Sequence, residues 1–220
     1  MSLPLILSGF KYLVENRKLT EQTIRTFGLS YVDLNGEVYA PADYQGTLPT
    51  MDKRFYNSTL FPIQSVYGET VGISCRPLGS SQTKYINSNY DKAKHLYGLF
   101  QVYKECLKEK SCYVVEGNID TLMMYQCGIH NVVGLLGSAF SFTQLCLLSR
   151  FVKKLVIVPD GDLAGSKIVE RLKKAMDKKF YDSDLEFFHV QLPMGFDPDN
   201  YLKKFSKEDF LSLPENKLVI

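Results

Sequence analysis

The sequence lacks the residue patterns of a structural zinc site and of a disulfide framework. No Cys-x-x-Cys pair occurs among its 220 residues, and its three histidines are not spaced as zinc ligands around its five cysteines. An odd number of cysteines also argues against a set of paired disulfides. We therefore expect no structural zinc in this chain, and we interpret the cysteines as ordinary core or surface thiols.

The sequence also lacks a long apolar run and a strong net charge. No segment approaches the roughly 18 apolar residues of a membrane span. The formal net charge is +2, which neither indicates nor excludes a nucleic-acid partner, because the local distribution of charge matters more than its sum. Hydrophobic residues at 45% and charged residues at 23% are typical of a globular protein. These features predict a cytosolic protein with no membrane partner.

Turn-forming residues are unevenly distributed and divide the chain into two halves. Glycine and proline recur between residues 36 and 79, whereas the second half contains longer periodic runs. We therefore predict a smaller N-terminal α+β subdomain over residues 1–100, a second subdomain over residues 101–205 and a short tail over residues 206–220.

Local signals in the first half predict one helix and one hairpin. Thr20 can cap a short helix, and Gly28 fits the left-handed position that ends it. Strand patterns over residues 60–63 and 70–76 flank a turn at Gly68, which is typical of a hairpin.

Short apolar runs alternate with helical periodicity in the second half. Strands are predicted over residues 112–115, 131–135, 155–158 and 185–190. Helices are predicted over residues 96–107 and 119–127, from a cap at Ser141 or Thr143 to residue 150, and over residues 164–179. Continuously apolar strands separated by helices are typical of a parallel sheet that is buried on both faces. The predicted fold class is therefore α/β, with a mostly parallel sheet flanked by helices.

Acidic residues follow two of these strands directly. Glu116 comes after the strand at 112–115, and Asp160 and Asp162 come after the strand at 155–158. Ligands bind at the carboxyl ends of parallel strands, so we expect these acids to share one edge of the sheet. If the chain stays extended, Asp160 and Asp162 also point the same way. Clustered carboxylates require a cation or a proton, and all-oxygen ligands favour Mg²⁺ or Mn²⁺. The alternative is that they are solvated loop acids.

Several segments resemble the catalytic core of bacterial-type DNA primases, which has a Toprim fold. Residues 114–120, Val-Val-Glu-Gly-Asn-Ile-Asp, are similar to the first Toprim motif, and residues 160–165, Asp-Gly-Asp-Leu-Ala-Gly, to the second. Residues 196–202 resemble the acidic third motif. Residues 84–88 and 96–99 are similar to upstream primase blocks, and the resemblance runs in order from about residue 10 to residue 205.

The resemblance implies a Mg²⁺- or Mn²⁺-dependent enzyme that synthesises short RNA primers on single-stranded DNA from nucleoside triphosphates. It assigns catalysis and metal binding to Glu116, Asp160 and Asp162, and it adds Asp120, Asp197 and Asp199 to the metal-binding patch. It assigns contacts with nucleic acid or triphosphate to Arg76, Lys84, Asn87 and Lys92.

Plainer interpretations of the individual residues stay open. Asp120 could begin its helix, Asp197 and Asp199 could belong to a turn about Pro198, and Asn87 could serve a turn. Arg76, Lys84 and Lys92 could be solvated surface residues. Two other functions also stay open for the whole chain, a Toprim nuclease and a non-catalytic DNA-binding module of a replication complex.

The resemblance also implies partners. The zinc-ribbon cysteines of cellular primases and their helicase-docking domain have no counterpart in these residues. We therefore expect a replicative helicase or a separate template-recognition protein to assist this chain. A compact primase of a phage or mobile element fits the pattern, in which case the location is the cytoplasm of the host cell.

Overall fold

The computed structural model describes residues 8–48, 51–79, 84–137, 140–162, 172 and 184–218. The chain forms two compact units, Met1–Tyr90 and Asp91–Ile220. The division therefore falls ten residues before the boundary that turn composition suggested. No helix within the described residues is long and apolar enough to cross a membrane.

The first unit contains a five-stranded antiparallel sheet with short helices ahead of it. The helices are α1 (Ser8–Lys11), a π-helical turn (Tyr12–Asn16) and α2 (Glu21–Thr26). The strands are β1 (Ser30–Val32), β2 (Val38–Tyr39), β3 (Ser58–Gln64), β4 (Thr70–Pro77) and β5 (Ile86–Asn87), in the spatial order β2-β1-β3-β4-β5. A 3-10 turn (Lys53–Phe55) precedes β3. Val32, Phe55, Leu60, Ile73 and Cys75 pack together as a buried core cluster.

The local predictions for this unit are confirmed. The side chain of Thr20 accepts a hydrogen bond from the Thr23 amide at 3.2 Å and so caps α2, and Gly28 ends the helix with a φ of 63°. β3 and β4 pair as an antiparallel hairpin, and Gly68 adopts a φ of 88° in the turn between them. A side chain would be strained at these two backbone conformations, which explains why glycine occupies them.

Helices and strands of the second unit alternate as predicted over the described stretch from Leu99 to Ile157. After a 3-10 turn (Lys92–Lys94), its elements are α3 (Leu99–Glu109), β6 (Ser111–Val115), α4 (Asn118–Gln126), β7 (Val132–Gly134), α5 (Phe142–Leu148), β8 (Lys154–Ile157), β9 (Glu186–Val190), α6 (Pro198–Lys204), α7 (Lys207–Leu211) and β10 (Glu215–Lys217). The predicted helix over residues 164–179 lies outside the described residues, except for Leu172, which is buried.

The sheet of this unit has the order β10-β9-β8-β6-β7, and the α/β fold class is confirmed. β7, β6, β8 and β9 are parallel, and their apolar residues, such as Val114, Val133 and Ile157, are buried. The edge strand β10 runs antiparallel to β9. The predicted tail thus contains a helix and a strand, which its mixed polar sequence did not indicate.

The structure corrects one predicted helix start and decides between two candidates for another. The helix expected from residue 96 begins at Leu99, because Gly98 precedes it with a φ of 80° and Tyr97 instead exchanges backbone hydrogen bonds with Gly134 at 2.8 and 3.0 Å. Of the two candidate caps for α5, Ser141 is the one used. Ser141 and Gln144 form a reciprocal capping box, with side-chain hydrogen bonds of 3.0 Å in each direction.

Candidate active site

Two of the predicted acids lie at the ends of neighbouring strands. β6 and β8 pair in parallel with Val114 opposite Ile157, and the amide of Val158 donates to the carbonyl oxygen of Val114 at 2.9 Å. Glu116 and Asp160 follow these strands at the same edge of the sheet. Each acid has one buried carboxylate oxygen, Oε1 of Glu116 and Oδ1 of Asp160. The strand pairing therefore places both carboxylates where the sequence pattern expected them.

The chain turns sharply between Asp160 and Asp162. The amide of Asp162 donates to the carbonyl oxygen of Asp160 at 2.8 Å, so the segment is not extended. The condition on which we expected both side chains to point the same way, an extended backbone, is therefore not met. Asp162 is exposed, whereas Asp160 is half-buried.

Gly161 joins this turn to the segment that carries the third group of acids. Its amide donates to the carbonyl oxygen of Phe196 at 2.7 Å, and its carbonyl accepts from the amide of Gly195 at 2.9 Å. A Cβ atom at Gly161 would lie 2.3 Å from the carbonyl oxygen of Pro193. Only glycine therefore allows the two backbones to approach this closely. Asp197 directly follows Phe196, so the hydrogen bond between Gly161 and Phe196 brings the backbone before Asp197 to the turn between Asp160 and Asp162.

Asp120 joins the first and third acidic segments. It lies in the first turn of α4, and its Oδ1 accepts a hydrogen bond from the amide of Asp199 at 3.1 Å. Gly117 leaves room for this arrangement, because a Cβ there would meet Asp120 Oδ2 at 2.3 Å. Asp120 thus lies in the first turn of its helix, which begins earlier at Asn118, and also contacts the third segment.

Asp197 and Asp199 have different surroundings although they are two residues apart. Asp197 caps α6, and its Oδ1 accepts from the amide of Asn200 at 2.7 Å. Asp199 is 3% exposed, and its Oδ2 accepts a hydrogen bond from Nζ of Lys203 at 2.8 Å. The segment about Pro198 is therefore a helix start with a buried acid rather than an ordinary turn.

The pKa of Asp120 reflects its burial and the acids of the other two segments. Burial, followed by the carboxylates of Asp197, Asp160 and Asp199, raises the pKa of Asp120 from its ordinary value of 3.8 to about 7. Mutual repulsion of this kind is relieved by a proton or by a cation. The donor atoms are all carboxylate oxygens, which fits Mg²⁺ or Mn²⁺ rather than zinc. Within the described ranges, no group of three or more His, Cys, Asp or Glu side chains is placed so that it could hold a metal ion as it stands.

Arg76 lies in the first unit and is held by aromatic rings. Its Cζ is 5.4 Å from the ring centre of Tyr85 and 5.8 Å from that of Tyr12. Arg17 contacts the same Tyr12, through a Cζ that is 5.5 Å from the ring centre and through an Nε that donates to the hydroxyl at 2.6 Å. Arg76 is therefore part of a cation–π cluster and not a freely solvated side chain. We predicted no functional role for any aromatic residue, because the spacing of the 28 tyrosines and phenylalanines does not distinguish Tyr12 and Tyr85 from the others.

The remaining predicted nucleic-acid residues occupy simpler positions. Lys84 is exposed. Asn87 lies in β5 opposite Ser74, and its Oδ1 accepts from the hydroxyl of Tyr90 at 3.1 Å. Lys92 belongs to the second unit, where its side chain is exposed and its carbonyl accepts from Nε2 of Gln144 at 3.0 Å.

Two supporting residues escaped the sequence analysis. Lys203 pairs with Asp199, and their i, i+4 spacing on a helix could have indicated it. Buried Gln144 joins α5 to the Lys92 segment across 52 residues of sequence, a distance that no local pattern spans.

Family comparisons agree with this fold and this arrangement of acids. A family model described as Toprim-like matches residues 113–202, and one described as the N-terminal domain of the DNA primase catalytic core matches residues 44–103. A parallel sheet with acids at its strand ends, in a chain that matches the first of these, defines a Toprim-type protein.

Sequence relatives identify the family within the Toprim-type class. The chain is 31% identical to the DNA primase of Clostridium acetobutylicum, over 96% of this chain and 37% of the relative, and 36% identical to that of Aquifex aeolicus, over 72% and 32%. The chain thus spans about a third of the length of these curated relatives. It belongs to the catalytic-core family of bacterial DnaG-type DNA primases.

Solved structures show the same relationship. The zinc-binding and RNA polymerase domains of the Aquifex aeolicus primase superpose with a TM-score of 0.75 at 28% identity, over 93% of this chain and 56% of that one. A DNA primase domain from Pseudomonas aeruginosa superposes with a TM-score of 0.77 at 25% identity, over 96% and 74%. The predicted family and fold are therefore confirmed.

Proposed function

We propose that this chain is a primase-type nucleotidyltransferase that synthesises short RNA primers on single-stranded DNA from nucleoside triphosphates. The observation that carries the proposal is the hydrogen bond from the Asp199 amide to Asp120 Oδ1, which joins the first and third acidic segments of a primase-family core. The match to the primase N-terminal domain favours this activity over that of a Toprim nuclease.

In this proposal Glu116, Asp160 and Asp162 hold Mg²⁺ or Mn²⁺, with Asp120, Asp197 and Asp199 around them. When bound, the cation would neutralise the charge that develops on the transferred phosphoryl group. The protein contributes a fixed arrangement of carboxylates, because Gly161 ties the second acidic segment to the third and Asp120 ties the first to the third. Glu116 is the acid that binds metal or accepts the proton of the attacking hydroxyl.

The proposal also includes four basic or polar residues. Arg76, Lys84 and Asn87 in the first unit, and Lys92 in the second, contact the template backbone or the triphosphate. Arg76 suits such a contact, because its planar guanidinium, which makes cation–π contacts with Tyr12 and Tyr85, can donate to two phosphate oxygens at once.

The wider setting is also a proposal. A replicative helicase or a separate template-recognition protein is part of this proposal; the chain matches about a third of the length of the curated relatives. We place the protein in the cytoplasm, or in that of a host cell if a phage encodes it. The division into residues 1–100, 101–205 and 206–220 stays a prediction about functional subdomains, beside the two compact units Met1–Tyr90 and Asp91–Ile220.

One experiment distinguishes the possible activities. The purified protein and its Asp160→Ala variant are incubated with single-stranded DNA, labelled ribonucleoside triphosphates and Mg²⁺ or Mn²⁺. Short labelled RNA made by the wild type alone is the expected result. Shortened template would instead identify a nuclease, and DNA binding without either product would identify a non-catalytic module.

A further inference from the structure

Lys203 introduces a positive charge into the acidic site. It lies in the last turn of α6, one helical turn after Asp199, and its Nζ is 2.8 Å from Asp199 Oδ2. The pair is largely removed from water, with the Asp199 side chain 4% exposed and the Lys203 side chain 25% exposed. An ion pair in such a position is much less screened than one on the surface.

Asp199 contacts the rest of the site through its backbone. Its amide donates to Oδ1 of Asp120, whose carboxyl group also experiences the charges of Asp160 and Asp197. The orientation of α6 therefore fixes the position of Asp120, and the Lys203–Asp199 pair holds the side chain of Asp199 along that helix. Lys203 is thus connected to the acidic site through a single residue.

We infer that Lys203 is a built-in counter-cation of the acidic site, which neutralises Asp199 and keeps that carboxylate outside the set of divalent-cation ligands. Lys203 is a positioning residue and not a catalytic one. The inference rests on the proposed metal site and deepens it, because it assigns Asp199 to a protein cation and leaves Glu116, Asp160 and Asp162 for the metal.

This role predicts two effects when the charge is removed. In Lys203→Met the metal-free site has one more uncompensated carboxylate, so we expect a lower melting temperature without metal. For the same reason the site attracts a divalent cation more strongly, and we expect the dissociation constant for Mn²⁺ to fall by about fivefold. Addition of Mg²⁺ then raises the melting temperature of Lys203→Met by more than it raises that of the wild type.

The experiment measures Mn²⁺ binding by electron paramagnetic resonance, and thermal unfolding with chelator and with Mg²⁺, on the full chain. Lys203→Arg keeps the charge and is expected to restore wild-type values for both. Lys108→Met is the matched control, because it removes a lysine from an exposed ion pair with Glu105 on α3, and it should leave Mn²⁺ affinity unchanged.

The results separate this inference from the proposed function. An unchanged or weaker Mn²⁺ affinity in Lys203→Met would show that the lysine has a purely structural role and would overturn the inference, whether or not the wild type makes primers. Failure of the wild type to bind Mn²⁺ would overturn the proposed metal site and the inference together. Tighter binding in Lys203→Met but not in Lys203→Arg supports the inference.

Discussion

The amide of Gly161 donates to the carbonyl oxygen of Phe196 at 2.7 Å, and this bond joins the turn after β8 to the segment that carries Asp197. Two acidic segments 35 residues apart in sequence are thereby held together by backbone rather than by side chains. The carboxylates can then be brought close in the absence of a cation, because the hydrogen bonds about Gly161 oppose their repulsion.

A side chain at Gly161 is expected to break this connection. In Gly161→Ala the new Cβ would meet the carbonyl oxygens of Pro193 and Phe196 at 2.3 and 2.9 Å. We expect a loss of at least about 2 kcal/mol in the free energy of unfolding, measured by urea denaturation. Gly137→Ala is the matched control, because nothing lies within 4 Å of a Cβ there. Equal stability of the two variants would contradict the close approach at Gly161.

The raised pKa of Asp120 predicts how stability depends on pH without metal. Its pKa is about 7 in the folded state and 3.8 as an isolated group, so the folded protein is penalised when this carboxyl ionises. The stability that protonation provides is fully present below about pH 4 and is lost as the pH rises through about 7.

Asp120→Asn should remove this penalty while keeping an oxygen that accepts from the Asp199 amide. In chelator at pH 8 we expect the variant to be more stable than the wild type by on the order of 2 kcal/mol, and we expect the difference to shrink steadily towards pH 4. Thermal unfolding across this pH range measures it. Glu208→Gln, a change of an exposed acid on α7, should show no such trend, and a difference independent of pH would refute the assignment.

Arg76 is expected to contribute to DNA binding through both its charge and its shape. Arg76→Ala should weaken single-stranded DNA binding and reduce the dependence of affinity on salt by about one ion. Arg76→Lys should recover only part of the affinity, because an ammonium group lacks the fixed pair of donors with which a guanidinium binds two phosphate oxygens. Titrations at several salt concentrations provide the measurement.

Arg54→Ala is the control for that experiment, since Arg54 is exposed and pairs with Asp52 in the same unit. If Arg76→Lys bound DNA as tightly as the wild type, the guanidinium of Arg76 would contribute to binding through its charge alone.

Gln144 is expected to stabilise the backbone around Lys92 through hydrogen bonds. Its Nε2 donates to the carbonyls of Lys92 and His95 at 3.0 and 2.8 Å, so Gln144→Ala leaves these groups without their buried donor. We expect a loss of about 2 kcal/mol in stability, with weaker DNA binding as a secondary effect. Lys92→Ala should do the reverse, weakening DNA binding with little change in stability. Denaturation and DNA-binding assays on both variants test this. If the two variants lost stability and DNA affinity in the same proportions, Gln144 and Lys92 would not have separate roles.

Much of the fold could be predicted because local sequence patterns, such as glycine positions and apolar runs, agree with the observed secondary structure. Gly28 and Gly68 mark left-handed positions, and the apolar runs about Val114 and Ile157 require burial on both faces of a parallel sheet. Those strands in turn place Glu116 and Asp160 at one edge. These features depend on spacing over a few residues, which a sequence displays directly.

The parts that could not be predicted depend on contacts between distant residues. The bridge between Tyr97 and Gly134 delays the start of α3, and the bonds of Gly161 to the Phe196 segment bend the chain between Asp160 and Asp162. The pairing of β10 with β9 likewise involves polar residues whose strand character comes from their neighbour. No periodicity within a single segment reports such contacts.

The most direct test of the account compares primer synthesis by the wild type and Glu116→Gln on single-stranded DNA with ribonucleoside triphosphates and Mg²⁺. The account predicts that the variant makes primers at least roughly 100-fold more slowly, while its DNA affinity and melting temperature stay close to those of the wild type. Wild-type rates of primer synthesis by Glu116→Gln would contradict an active site at this edge of the sheet.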